Sequence, residues 1–148
     1  MDIHWKIAAF ESLPPEEIYA LLRLRSEVFV VEQQCVFLDQ DGLDSQAMHL
    51  MGWNQGELAA YARIFNRGLV SPLASIGRVV VPKNLRRSGI GKLLMAQAIQ
   101  TLYELYGKQP IYIGAQQYLE GFYGSFGFAQ AGEPYLEDGI SHLKMILP

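Results

Sequence analysis

The sequence VVVPKNLRRSGIGKLL, residues 79–94, constrains this chain more than any other stretch. Three β-branched residues favour a strand, and Pro82, which cannot donate to a sheet ladder, ends it. Leu93, Leu94, Ala98, Ile99 and Leu102 then recur at helical spacing, and Gly107 supplies a stop. Between strand and helix lie four cations, Lys83, Arg86, Arg87 and Lys92, around two glycines, Gly89 and Gly91. A helix start exposes backbone N–H groups with no partner inside the helix, and the aligned peptide dipoles add partial positive charge there. Glycine lets a bulky oxyanion approach that backbone without meeting a Cβ. The stretch therefore predicts a phosphate-bearing ligand seated on a strand–loop–helix joint.

The flanking elements fit a sheet built around that joint. Residues 3–10 alternate loosely as a first strand. SLPPEE opens a helix, with Ser12 or a proline near its cap and Glu16 and Glu17 in its first turn. That helix continues through IYALLRLRSEVFVVEQ, with Ile18, Leu21, Leu22, Leu24, Val28 and Val31 on one side. Residues 33–45 read as a polar loop, and strands over 47–54 and 57–66 flank the tight-turn pair Gln55-Gly56. A strand over 75–81 and the helix over 89–106 follow, then a strand over 110–116 and a short helix in YLEGFYGSFGF that turns at Gly127. One strand starts within 128–131 and a last one spans 140–147. The order β-α-β-β-β-α-β-α-β-β predicts one domain over residues 1–148, an α/β (α+β) fold with a single mixed sheet and helices packed on it. Residues 75–116 then form a parallel β-α-β crossover carrying the glycine loop.

Composition narrows the function classes. Acidic residues outnumber basic ones, 15 to 12, for a net charge of −3, so no nucleic-acid partner is expected. Cys35 is the one cysteine and cannot form an internal disulfide, which suits a reducing compartment; it reads as a small buried residue. No long apolar run follows a basic start, and none reaches the length that spans a bilayer. A cytoplasmic protein with no membrane partner is the expectation. The histidines and cysteine show no ligand spacing, so no metal site is expected.

Three phosphate-binding loops compete for residues 83–92. A P-loop requires glycine five positions before Gly91 and a hydroxyl after Lys92, where this chain has Arg86 and Leu93. A dinucleotide fingerprint requires a third glycine where Leu94 stands. The third pattern is Arg/Gln-x-x-Gly-x-Gly/Ala, matched by Arg86-Arg87-Ser88-Gly89-Ile90-Gly91 after the strand ending at Pro82.

That loop, the VVVP strand before it and the downstream FYGSFGF resemble the acyl-CoA-binding and Tyr…Gly-Phe segments of the GNAT superfamily of N-acetyltransferases. The resemblance covers essentially the whole chain, and it implies a mostly antiparallel sheet. LLRLRSEVFVVEQQC, DGLD…HL, IGRVVVP and EDGISH further resemble the ElaA group of that superfamily, with Ser141 where the group tends to have proline.

The resemblance implies that acetyl-CoA is the cosubstrate, its pyrophosphate on the backbone of Arg87, Ser88, Gly89, Ile90, Gly91 and Lys92, with Arg86 assisting. The pantetheine arm would run beside Val79, Val80 and Val81. Tyr123 matches the acid that protonates the departing thiolate; an unperturbed phenol, with a pKa of about 10, carries that proton at neutral pH. Glu32 and His142 are candidate bases and His49 follows; Gln33, Asp41 and Asp44 read by default as a solvated loop, with contact to a cationic acceptor as the alternative. The implied reaction is acetyl transfer to the amine of a small molecule or peptide. A non-catalytic acyl-CoA sensor of the same fold is the alternative, and it would have no need of Tyr123. The acceptor, the acyl length and the oligomeric state, a homodimer included, are open at this point.

Overall fold

The structure, a computed structural model, describes residues 2–148. Its strands are β1 (His4–Ala9), β2 (Met48–Asn54), β3 (Glu57–Phe65), β4 (Ala74–Val80), β5 (Ile111–Gln116), β6 (Ala129–Gln130), β7 (Tyr135–Glu137) and β8 (Ile140–Leu147). The helices are α1 (Pro15–Arg25), α2 (Ile90–Tyr106) and α3 (Glu120–Gly124). The sheet order is β1-β2-β3-β4-β5-β8-β6, with β7 also on β8. Every pairing is antiparallel except β4 with β5, so the expected mixed, mostly antiparallel sheet with one parallel crossover is what the chain forms. No helix among the described residues is long and apolar enough to cross a membrane.

The sheet is covered on both faces. Leu50, Ala60, Ala62, Ile64 and Ile76 pack with Leu94, Met95, Ala98 and Leu102 of α2. Met51, Tyr61 and Val80 pack on the other face with Leu21, Leu24 and Val28. On β2, and on β3 from Ala60 onward, the two sets alternate, as strand geometry requires. On β4 they do not. Ile76 and Val80 are four residues apart and should share a face, yet they enter opposite cores. The register explains this: Arg63 pairs with Gly77 and Tyr61 with Val80, so β4 carries one extra residue. Arg78, at φ +49°, marks the bulge.

Three sequence expectations need correction. The first helix does not continue as a regular α-helix, because Ser26–Glu32 winds as a π-helix, with Gln33 N–H donating to Val28 O and Cys35 N–H to Val30 O. Three valines in this stretch, Val28, Val30 and Val31, weaken α-helical preference. The wider winding turns Val31 out of the apolar face, where it is 71 % exposed. In α2, Leu93 is exposed and Met95 is buried in its stead. The order also lacked a strand: β7 forms a hairpin with β8 through Asp138 and Gly139, both at positive φ. The Gln55-Gly56 turn has the same double positive φ, which selects such residue pairs.

Candidate active site

β4 and β5 are joined only by Ala74 with Ile111 and Ser75 with Tyr112. Beyond these pairs β4 continues to Val80 and β5 to Gln116 without pairing to each other, so the two strands diverge. The gap is a cavity of about 710 Å³. Val79, Val80 and Val81 border it from one side, and Ile113, Gly114 and Gln116 from the other. The edge of β4 that faces this gap has strand-like backbone groups without a ladder partner, which suits an extended ligand.

The glycine loop closes one end. Arg86, Arg87 and Gly91 line the cavity. Gly89 caps α2 at φ +90°, a conformation that favours glycine, and no side chain caps the helix. A Cβ added at Gly89 would meet open space, so the approach to the Ile90, Gly91 and Lys92 N–H groups is clear. Arg87 also sits at positive φ, 66°. Ser88 turns inward on the loop and donates to Leu85 O. Lys92 is exposed on the first turn of α2, and Ile90 is buried in the core, leaving its backbone for a ligand.

Tyr123 lines the same cavity and is 7 % exposed. Its ring is held edge-on by Phe122 at 5.1 Å and by Phe128 at 6.2 Å. Burial, with a smaller contribution from the nearby Tyr118, pushes its pKa up to about 12. The phenol is therefore held in its protonated, donor form.

Both candidate bases border the cavity in different states. Glu32 ends the π-helical segment and is gripped by Arg86, whose Nη2 donates to Oε1 at 2.8 Å and whose Nη1 donates to Oε2. The Arg86 hydrogen bond holds its carboxyl below the usual range, with Lys83 adding to the effect. His142 on β8 donates from Nδ1 to Ile140 O at 2.8 Å, which leaves Nε2 as the free ring nitrogen, 3.4 Å from Glu137 Oε2. Tyr135 stacks on the imidazole at 5.7 Å, and its hydroxyl lies 2.7 Å from the place a Cβ on Gly114 would take. Ser141 donates to Gln117 Oε1 at 2.6 Å, tying β8 to the turn after β5.

Other candidates lie elsewhere. His49 is fully buried between Tyr61 Oη at 2.7 Å and Asp44 O at 2.9 Å, away from the cavity. Asp41 and Asp44 do not face the cavity either; they pair with arginines behind it. Gln33 and Cys35 do line the cavity, and the Cys35 thiol sits 3.5 Å from Asp138 O. Sequence reasoning missed Tyr135 and Glu137 because it missed β7; the Asp138-Gly139 pair ahead of a β-prone run was the available signal.

A family model described as an acetyltransferase (GNAT) domain matches residues 15–148. Protein ElaA of Escherichia coli is 42 % identical over 145 residues, covering 97 % of this chain and 95 % of its own. A UPF0039 protein of Synechocystis is 42 % identical over 147 residues, 99 % of this chain and 96 % of that protein. Among solved structures, an acyl-CoA N-acyltransferase from Pseudomonas aeruginosa superposes with a TM-score of 0.95 at 40 % identity, covering 99 % of this chain and all of that one. A CoA-dependent acyl-homoserine lactone synthase shares the fold alone, at 18 % identity, a TM-score of 0.75 and coverage of 98 % of this chain and 82 % of that one.

Proposed function

This chain belongs to the GNAT acetyltransferase family and is an acyl-CoA N-acyltransferase; from that premise we propose that it transfers the acetyl group of acetyl-CoA to a primary amine by direct attack on the thioester. One observation carries the reading. A helix start, an unpaired strand edge and a buried phenol all border a single cavity.

The α2 N-terminus receives the pyrophosphate on the N–H groups that no capping side chain occupies. The backbone of Val79, Val80 and Val81 holds the pantetheine arm as a neighbouring strand would, and an N–H there polarises the thioester carbonyl. His142 takes the amine proton at Nε2. It is preferred over Glu32 because Arg86 holds that carboxylate in its ionised, weakly basic form. The amine nitrogen bonds to the carbonyl carbon, the carbon–sulfur bond breaks, and Tyr123 gives its proton to the departing thiolate. The products are the N-acetyl amine and free CoA.

Calorimetric titration with acetyl-CoA in the absence of magnesium, followed by thiol release over a panel of amines, tests this. Binding and thiol release with a primary amine are expected. Binding without turnover on any amine would reduce the protein to an acyl-CoA-binding module. Absence of binding would overturn the assignment of residues 83–92.

A further inference from the structure

Behind the cleft wall, six charged side chains close into a ring of alternating sign. Arg25 Nε donates to Asp39 Oδ2 at 2.8 Å, and Asp39 Oδ1 accepts from Arg78 Nε at 2.9 Å. Arg78 Nη2 lies 3.6 Å from Asp41 Oδ2, which accepts from Arg63 Nη2 at 2.7 Å. Arg63 Nη1 reaches Asp44 Oδ1 at 3.0 Å, and Arg25 Nη1 reaches the same oxygen at 2.7 Å, which completes the circuit. The three carboxylates come from one loop, residues 39–44. The three guanidiniums come from the end of α1, from β3 and from β4.

Such a ring is a poor source of stability. Arg25 and Asp39 are withdrawn from water almost completely, and the cost of stripping buried ions roughly cancels their attraction. What a ring of fixed polarity does supply is position. Of its six members only Arg78 borders the cavity, and Arg78 is the residue at positive φ in the β4 bulge. A non-glycine residue in that region is strained by roughly 1–2 kcal/mol. Its side chain is what holds it there: Nε and Nη2 both bind Asp39, the second through the backbone carbonyl at 3.1 Å, and Phe29 lies under the guanidinium at 6.0 Å. The residues that follow are Val79, Val80 and Val81.

We propose that the Asp39–Arg78 pair is a positioning device for the acyl-CoA site: the ring pins the bulge and so sets the direction in which the β4 backbone faces the cosubstrate. The inference rests on the acyl-CoA reading above. The chain just ahead of the carboxylate loop also contributes Gln33, Cys35 and Phe37 to the cavity lining. Asp39 lies outside the cavity lining, and the role proposed for both residues is placement of the β4 backbone.

The test compares Arg78→Ala with Arg78→Gly, each measured by calorimetric titration with acetyl-CoA and by thermal unfolding. Alanine removes the ion pairs and keeps the backbone strain; glycine removes the ion pairs and relieves the strain. Arg78→Ala is expected to weaken acetyl-CoA binding roughly tenfold, about the weight of one lost backbone hydrogen bond, with Arg78→Gly in between. A purely structural ring would lower the melting temperature and leave the affinity of both variants within about twofold of wild type, and that result would overturn the proposal. Should Arg78→Ala fail to fold, the glycine variant decides alone, since unchanged affinity there has the same consequence. A wild-type protein that binds no acetyl-CoA would instead overturn the acyl-CoA reading, and the proposal with it.

Discussion

Arg86 and Glu32 meet as a two-point ion pair across the mouth of the cleft, 54 positions apart in sequence. The pair joins the glycine loop to the end of the π-helical segment, so each side chain is committed to the other before any ligand arrives. Both are solvent-accessible, at 38 % and 27 % of the side-chain surface, so the contact can exchange. Glu32→Gln releases Arg86 and removes a negative charge beside the loop. Acetyl-CoA affinity should rise roughly two- to fivefold, the scale of an exposed pair, and fall in Arg86→Ala. Calorimetry at low salt reads this; weaker binding in Glu32→Gln would mean that Glu32 orients Arg86 rather than competing for it.

Tyr123→Phe keeps the aromatic packing with Phe122 and Phe128 and removes only the hydroxyl. Turnover is expected to drop roughly 10²–10⁴-fold, with acetyl-CoA affinity and melting temperature retained. Steady-state thiol release measures it. Wild-type turnover would return Tyr123 to a packing role.

Gly89→Glu sets a carboxylate over the open start of α2 and forces a side chain into φ +90°. Loss of detectable acetyl-CoA binding is the expected outcome, from charge repulsion at the anion site as well as from the altered cap. Gly89→Ala, which adds no charge, should bind more weakly than wild type and still measurably.

Gly114→Ala places a methyl group 2.7 Å from the Tyr135 hydroxyl. The tyrosine is the movable partner, so the fold should survive while the ring stacked on His142 shifts. The expected signature is reduced turnover with intact acetyl-CoA affinity. Unimpaired turnover would separate Tyr135 from the placement of His142.

Acid should weaken the fold through the charge ring. Burial acts to raise the Asp41 pKa, but hydrogen bonds from Arg63 and the Leu43 N–H, with the charges of Arg63 and Arg78, outweigh it and hold the value at about 2. The unfolded-state value is about 3.9, so this group's stabilisation is complete above that pH and is lost as pH falls through about 2. Asp44 is lowered too: burial opposes the shift, and its bonds to Arg25 and Arg63 overcome it. Urea unfolding between pH 5 and pH 2 should show a steep loss that is shallower in Asp41→Asn.

The glycine loop and the strands were legible because their signals are local. Gln55-Gly56 names its own turn, and Pro82 together with Gly89 brackets the joint before α2. β7 was not legible by alternation, since Tyr135, Leu136 and Glu137 are all exposed and show no buried face. The π-helical winding leaves no period in sequence, only a cluster of valines. The charge ring was unreadable for a different reason: Asp39, Asp41 and Asp44 have the spacing of a solvated loop, and their partners at positions 25, 63 and 78 approach only after the sheet has formed. Reading Asp41 and Asp44 as a solvated loop follows from that blindness to distant partners.

The divergence of β4 from β5 has a mechanical consequence. Two residue pairs form a narrow neck between a half-sheet of β1–β4 and a half-sheet of β5, β8, β6 and β7. A molecule lodged in the gap touches both halves at once and acts as a rung between them. Occupancy should therefore slow amide exchange in β4 and β5 together, so that the rigidity of the sheet becomes a readout of whether the site is filled.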